Sequence, residues 1–195
     1  LKPLDDKYNI KRIVYSTYQA VSGAGSKGIL DLENGINAFS TNEDYSLNKF
    51  PHPIFSNCLP HIDVFLDNGY TKEEEKMINE TRKILKNPDL NVTATTVRVP
   101  VFNSHSESIN VEFEKEFDLN DLINTLKNSP GIIVQNDSKS NIYPMAINST
   151  NNNEVFVGRI RRDFSISSGV NLWVVADNIR KGAATNAIQI LERMI

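Results

Sequence analysis

The sequence has 195 residues, and its 21 basic and 24 acidic side chains give a formal net charge of -3 at pH 7. Because 39% of the residues are hydrophobic, the chain can bury a core as a single domain. It contains no basic block that could follow a phosphodiester backbone and no run of eighteen apolar residues. We therefore expect neither nucleic acid nor a membrane as a partner.

The single cysteine, Cys58, excludes an internal disulfide framework and agrees with a reducing compartment. Residues 1–4 show neither an initiator methionine nor the pattern of a signal peptide. We expect a cytoplasmic protein, of which this chain is one piece. Phe55 and Pro60 flank the dipeptide Asn57-Cys58, so the sequence predicts a structural cysteine in a packed loop.

The first third of the chain reads as a strand, a turn, a helix and a long loop. Residues 11–19 are rich in β-branched and aromatic side chains, which is typical of a strand. The small residues 22–25 predict a turn, and apolar residues at helical spacing over 27–39 predict a helix that Ser22 could cap. Three prolines within 40–60 indicate a loop without regular hydrogen bonding.

The middle of the chain predicts one helix and two strands. Thr71 and Glu74 match a capping box at the start of a helix over 71–86. Residues 91–101 and 108–117 predict strands, and the second alternates apolar and polar side chains, as a strand of an antiparallel sheet does when one face is wet.

The remaining elements follow the same rules. They are a helix over 118–128, strands over 131–134, 155–164 and 170–176, and a final helix from about Asn178 that Asp177 caps. Most strands are joined as hairpins, and the helices are grouped. We therefore expect an α+β domain with a mixed, largely antiparallel sheet that helices cover on one face.

His105 and Arg98 are the strongest candidates for chemistry. His105 lies in the short polar link 102–107 between two predicted strands, and an imidazole can exchange protons near neutral pH. Arg98 lies seven residues earlier, and its guanidinium can bind a carboxylate through two hydrogen bonds. The alternatives are a histidine in a surface turn and an arginine that pairs with an acid or points into water.

Other charged residues allow two interpretations each. Glu73 and Lys76 share a predicted helix face and could bind an amine and an anion, or could form a solvated surface. Arg159, Arg161 and Arg162 could bind phosphate or border an interface.

The glycine-rich segment 22–28 could hold a phosphate at a helix start, although it lacks the spacing of a dinucleotide fingerprint or a P-loop. The weaker interpretation is a close approach of its backbone to a ligand or to a neighbouring strand.

Several longer motifs together resemble bacterial aspartate-semialdehyde dehydrogenases, and they occur in that family's order across essentially the whole chain. They are STYQAVSGAG at 16–25, VRVPV at 97–101, HSES at 105–108, GRIRRD at 158–163, WVVADN at 173–178 and RKGAA at 180–184.

The resemblance implies an enzyme that converts L-aspartyl-4-phosphate to aspartate semialdehyde with NADPH, through a thioester on a cysteine, for lysine, threonine and methionine synthesis. It implies individual roles as well: catalysis by His105 and Gln19, substrate binding by Arg98, Glu73 and Lys76, and cofactor binding by Ser22, Gly23 and Asn178. No metal is implied.

The resemblance further implies that residues 1–195 form a single substrate-binding and dimerisation domain, like the C-terminal domain of glyceraldehyde-3-phosphate dehydrogenase. The nucleotide-binding domain, which would bind most of NADP, and the reactive cysteine would precede Leu1. A homodimer is expected, with a tetramer possible, and the chain alone should be inactive.

Two rival functions remain open. One is a related acyl-phosphate reductase of the N-acetylglutamyl-phosphate type, and the other is a self-associating module without chemistry. Two positions depart from the family pattern: Ser104, where relatives commonly have glycine or another small residue, and Thr96, where close relatives often have cysteine.

Overall fold

The structure is a computed structural model, and it describes residues 1–192 and 194. Its helices are α1 (Lys2–Tyr8), α2 (Ser26–Thr41), α3 (Lys72–Leu85), α4 (Leu119–Lys127), α5 (Ala146–Ser149) and α6 (Thr185–Glu192). Its strands are β1 (Ile10–Gln19), β2 (Asn91–Arg98), β3 (His105–Phe113), β4 (Ile132–Val134), β5 (Val155–Asp163) and β6 (Gly169–Ala176). A 3-10 turn, Val21–Ala24, follows β1, and a π-helical segment, Arg180–Ala184, precedes α6.

The strands form one sheet in the order β2-β1-β3-β6-β5-β4. The two outer pairs, β1 with β2 and β4 with β5, are parallel, and the pairs between them are antiparallel. The predicted α+β fold with a mixed, largely antiparallel sheet is confirmed. Because β1 and β2 run parallel and β3 runs back beside β1, the carboxyl ends of β1 and β2 meet the amino end of β3.

Helices cover one face of this sheet and bury its main core. Ile13 of β1 and Ile109 of β3 point into this core, where they join Leu4 of α1, Leu85 of α3 and Leu122 of α4. Each fully buried side chain of this size contributes about 1.5–3 kcal/mol. This packing explains why α1 and α4, which are only two turns long, are stable where they lie.

The opposite face of the sheet is only partly covered. The rings of Tyr18 and Trp173 lie there with centroids 5.4 Å apart, and Tyr18 is exposed. Ser108 and Asn110 lie on the same face and are half-buried. Among the described residues, no helix is both long enough and apolar enough to cross a bilayer.

A second, smaller core fixes the 3-10 turn above the end of β1. Val21 of the turn packs with Leu32 of α2 and with Ile54 and Leu59 from the long loop after α2. The loop has no regular secondary structure, as its prolines predict. These core contacts nevertheless anchor it at defined points.

Three helix starts test the predicted caps. The capping box of α3 is confirmed, since Thr71 Oγ1 accepts from Glu74 N and the Glu74 carboxylate accepts from Thr71 N. Asp177 Oδ1 accepts from the backbone N–H groups of Ile179 and Arg180, as a cap does, but the capping position of the π-helical segment is Ile179. Ser22 as the cap of α2 is wrong: the capping position is Gly25, with φ 78°, because Ser22 belongs to the 3-10 turn.

One helix was missed, and two other predictions need correction. Helix α1 was not predicted, since it offers only Leu4 and Tyr8 as buried residues. His105 is the first residue of β3 and not part of a connecting link, because it pairs with Ala176 of β6. Cys58 is exposed, so its packed-loop environment is wrong: its loop is anchored by Leu59 and leaves the thiol in water.

Candidate active site

The site lies where β1, β2 and β3 meet. Gln19 and Arg98 are paired as the last residues of β1 and β2, and His105 is the first residue of β3. A cleft of about 650 Å³ opens above them. Seven of the eight residues expected to bind or react line it: Gln19, Gly23, Glu73, Lys76, Arg98, His105 and Asn178.

His105 is held by the backbone at the end of β1. The N–H of Ala20 donates to its Nδ1 atom at 3.1 Å. Burial, followed by the nearby charge of Arg98, lowers the pKa of the imidazole to about 4. The ring is therefore neutral at physiological pH, and it lies half-buried at the start of a strand, unlike a histidine in a surface turn.

Arg98 is a buried cation without an acidic partner. It is only 5% exposed, and its Nη1 donates to the carbonyl of Ala20 at 2.7 Å. Burial lowers its pKa and the charge of Glu73 opposes the shift, so the guanidinium stays charged. Within residues 1–192 the ion pairs do not involve it. Because burying an unpaired charge is costly, this position suits an anionic ligand.

Gly23 explains why the glycine-rich segment lies so close to these two residues. A Cβ atom on Gly23 would lie 2.9 Å from Arg98 Nη1 and 3.1 Å from His105 Nε2. The first distance is shorter than real Cβ contacts and the second is tighter than most, so a larger residue would have to displace Arg98 or His105, whereas glycine lets the turn close over both side chains. Of the two interpretations of the segment, the geometry matches the close backbone approach.

Asn178 connects three segments around His105. Its Oδ1 accepts from the N–H of Ser104 at 3.0 Å, and its Nδ2 donates to Ser22 Oγ at 3.1 Å. Ser104 is buried with φ 71°, a conformation that favours glycine, which is consistent with the departure noted at this position. Ser22 does not line the cleft, but its hydroxyl bonds to Asn178, which does.

Glu73 and Lys76 lie on the first turns of α3, at the rim. Gln19 Nε2 donates to Glu73 Oε1 at 3.3 Å, and Lys76 Nζ lies 3.5 Å from Glu73 Oε2. The Lys76 side chain is 56% exposed and that of Glu73 is 21% exposed. The pair is therefore not a fully solvated helix surface, because Glu73 links the helix to the end of β1.

Lys49 also lines the cleft and was not singled out from the sequence. The fully buried Asp31 of α2 holds it, since the carboxylate accepts from the backbone N–H groups of Asn48, Lys49 and Phe50. Burial alone raises the pKa of Asp31, but these hydrogen bonds outweigh it and lower the pKa. No local pattern marks Lys49, because a distant helix positions it.

The arginine cluster divides into two parts. Arg162 packs over the ring of Phe117 and donates to its carbonyl, so it is structural. Arg159 and Arg161 border a separate cavity with Trp173 on the open face of the sheet. Among the described residues no three His, Cys, Asp or Glu side chains converge in a way that could hold a metal ion.

Comparison with known proteins identifies close relatives. The chain is 55% identical over 196 residues to aspartate-semialdehyde dehydrogenase of Aquifex aeolicus and 48% identical over 197 residues to that of Campylobacter jejuni. Each match covers 100% of this chain but only 58% and 57% of the relative. The chain thus spans somewhat more than half the length of these relatives.

Solved structures give the same result. The fold superposes on aspartate semialdehyde dehydrogenase II of Vibrio cholerae complexed with ASA, with a TM-score of 0.95 and 45% sequence identity over 98% of this chain and 56% of that one. The sequence pattern of the family described as "Semialdehyde dehydrogenase, dimerisation domain" matches residues 1–181. The chain therefore belongs to the semialdehyde dehydrogenase dimerisation-domain family, as its motifs predicted.

Proposed function

We propose that this chain forms the substrate-binding and proton-transfer half of the active site in an aspartate-semialdehyde dehydrogenase. The parent enzyme would reduce L-aspartyl-4-phosphate with NADPH to aspartate semialdehyde and phosphate. The observation that carries the proposal is the buried, unpaired guanidinium of Arg98 beside the neutral imidazole of His105. A relative solved with ASA has the same fold around the corresponding end of the sheet.

Each proposed role follows from the chemistry of the side chain. Arg98 binds the substrate α-carboxylate, and Glu73, anchored to Gln19, binds the α-amino group. Lys76 at the rim attracts the phosphate. Gln19 orients the reacting carbonyl. His105 is the general acid/base: because its Nδ1 accepts from the Ala20 N–H, the neutral ring carries its proton on Nε2. It donates this proton to the departing group and is reprotonated by the reacting thiol.

The reactive cysteine and most of the NADP site are proposed to come from the part of the parent enzyme outside residues 1–195. NADPH, when bound, supplies a hydride to the thioester carbon. The residues present fit such a neighbour at one edge of the cleft. Gly23, Ala24 and Gly182 line the cleft with Asn178, so small residues leave backbone accessible to a ligand there.

A second acyl-phosphate reductase activity, on an N-acetylated substrate, is disfavoured by Glu73. A carboxylate held toward the cleft binds an ammonium group well, whereas an acetamido group carries no charge to pair with it. We therefore expect selectivity for the free amino acid.

The proposal is tested by purifying the complete parent protein and following phosphate-dependent reduction of NADP with aspartate semialdehyde. We expect turnover with this substrate and at most trace turnover with N-acetylglutamate semialdehyde. Equal activity on both substrates, or activity on the acetylated one alone, would contradict it, and a protein inactive on both would favour the non-catalytic module.

We infer that the parent enzyme acts in the cytoplasm as a homodimer. The half-covered sheet face with Tyr18 and Trp173 supports self-association, because exposed aromatic residues are common at interfaces. Two dimers could pair into a tetramer. We expect no nucleic-acid partner, because the sequence has no basic block. Light scattering at tens of micromolar tests the dimer, and a monomer would contradict it.

A further inference from the structure

Glu74, beside the proposed substrate ligand Glu73, uses both carboxylate oxygens inside the protein. It is 7% exposed. Its Oε2 accepts from Thr71 N at 2.8 Å, which completes the capping box of α3. Its Oε1 accepts from Thr96 N at 2.9 Å, and Thr96 lies two residues before Arg98. Of these two bonds, a capping box needs only the one to Thr71 N. The bond to Thr96 N is therefore not explained by the cap of α3.

The second bond satisfies the edge of the sheet. β2 is an edge strand, and the N–H of the fully buried Thr96 would otherwise be a buried donor without a partner. Through Glu74, the first turn of α3 is therefore attached to β2 itself. The helix start and the end of β2 become one unit close to the cleft.

A chain of hydrogen bonds leads from β2 back to Glu73. Val97 N donates to Thr17 Oγ1 at 3.4 Å, and Thr17 Oγ1 donates to Gln19 Oε1 at 3.0 Å. Gln19 Nε2 then donates to Glu73 Oε1 at 3.3 Å. Since Glu74 joins α3 to Thr96, these contacts close a ring across α3, β2 and β1, which we call the Glu74 ring. It consists of Thr17, Gln19, Glu73, Glu74 and the backbone of Thr96 and Val97.

We propose that Glu74 is a positioning residue, which holds Glu73 and Gln19 in their substrate-binding orientation by closing this ring. The inference rests on the proposed function. Glu74 does not line the cleft, so it acts through Glu73 and not on the substrate. The ring also fixes the Gln19 amide, because its oxygen faces the hydroxyl of Thr17 and its nitrogen faces Glu73.

The first test is Glu74→Gln in the complete parent enzyme. The amide has the same shape but only one acceptor atom, so its NH2 group faces a backbone donor at Thr71 or Thr96 and one link breaks. We expect KM for aspartate semialdehyde to rise about tenfold, with kcat changed less than about threefold. Glu80→Gln is the matched control, because Glu80 is exposed on the same helix outside the ring, and its KM should stay within about twofold.

The second test separates positioning from a purely structural role. In Glu73→Gln/Glu74→Gln, KM should equal that of Glu73→Gln alone, because Glu74 acts only through its neighbour. Thr17→Val opens the ring from the other side and leaves the cap of α3 intact, so it should also raise KM. It gives the answer if Glu74→Gln does not fold.

Three outcomes would overturn the inference. They are a folded Glu74→Gln enzyme with unchanged KM, effects of the two glutamate variants that multiply in the double variant, and a Thr17→Val enzyme with unchanged KM. An unmodified parent enzyme that does not turn over aspartate semialdehyde would instead refute the proposed function, so the two failures are distinguishable.

Discussion

The sheet face that the helices cover has an apolar half and a polar half, and the same strands contribute residues to both. Toward the start of β1 the alternation buries Ile13 and Tyr15, which pair across β3 with Val111 and Ile109 and meet the helices. Farther along, the same alternation places Gln19 in the lining of the cleft. The apolar half stabilises the fold, and the polar half holds charged groups that the fold alone does not need.

The boundary between these halves is one residue pair. Thr17 of β1 pairs with Glu107 of β3 between the apolar and polar parts. Burial raises the pKa of Glu107 to about 7. Glu107 therefore lies where the apolar core, which disfavours charged groups, meets the polar part of the face, where charged side chains line the cleft. Substitutions on the two sides should therefore affect different properties.

The largest effect is expected for His105→Asn in the complete parent enzyme. Loss of the proton-transfer group should lower kcat by roughly two to four orders of magnitude, with Tm close to that of the unmodified enzyme. Steady-state kinetics and thermal unfolding measure both. Unchanged turnover would remove His105 from the chemistry.

On the apolar side, Leu122→Ala should lower the free energy of unfolding by about 2–5 kcal/mol, because it leaves a cavity in a fully buried position. KM at moderate temperature should not change. Denaturant unfolding measures the loss, with the 82% exposed Ile147→Ala as the control. A variant with a changed KM and an unchanged stability would show that the two halves are not separate.

A smaller effect is expected for Gly23→Ala. The new methyl group must displace Arg98 or His105 by a few tenths of an ångström, and we expect kcat/KM to fall roughly tenfold. Gly182→Ala is the control at the same cleft, because a Cβ there meets no atom within 4 Å. Equal kinetics for the two variants would mean that the turn adjusts freely.

The smallest effect concerns pH and the boundary residue. Because the folded pKa of Glu107 is raised, its contribution to stability is present below its ordinary pKa near 4.5 and is lost as pH rises through about 7. Glu107→Gln removes this loss, so its Tm relative to the unmodified protein should rise by a few degrees between pH 5 and pH 8. A constant difference in Tm across this range would contradict the assignment.

Local patterns predicted elements wherever one segment decided its own structure. The capping box of Thr71 and Glu74 predicted the start of α3, and the alternation from Ile109 to Phe113 predicted β3. Helix α1 was missed because its burial depends on α4, 110 or more residues away. Cys58 was misjudged because its flanking apolar residues pack elsewhere.

The candidate site depended on the family motifs much more than on spacing. Nothing within residues 11–19 indicates that β1 pairs in parallel with β2, and only that pairing places Gln19 beside Arg98. The position of Lys49 depends on Asp31, and the second hydrogen bond of Glu74 depends on Thr96, and both partners are distant in sequence. Tertiary partners of this kind leave no signal in a single segment.

The parallel pairing of β1 and β2 has a consequence for how the protein can diverge. The hydrogen-bond ladder between the two strands sets the distance between Gln19 and Arg98. This distance therefore does not depend on the length of the insertion that connects the strands. The insertion is tied to the ladder at Leu59, which bonds to Arg98 on its outer side, and at Glu74, which bonds to Thr96. We expect relatives to vary the length of residues 61–70 freely and so to reshape the mouth of the cleft while the reacting groups stay in register.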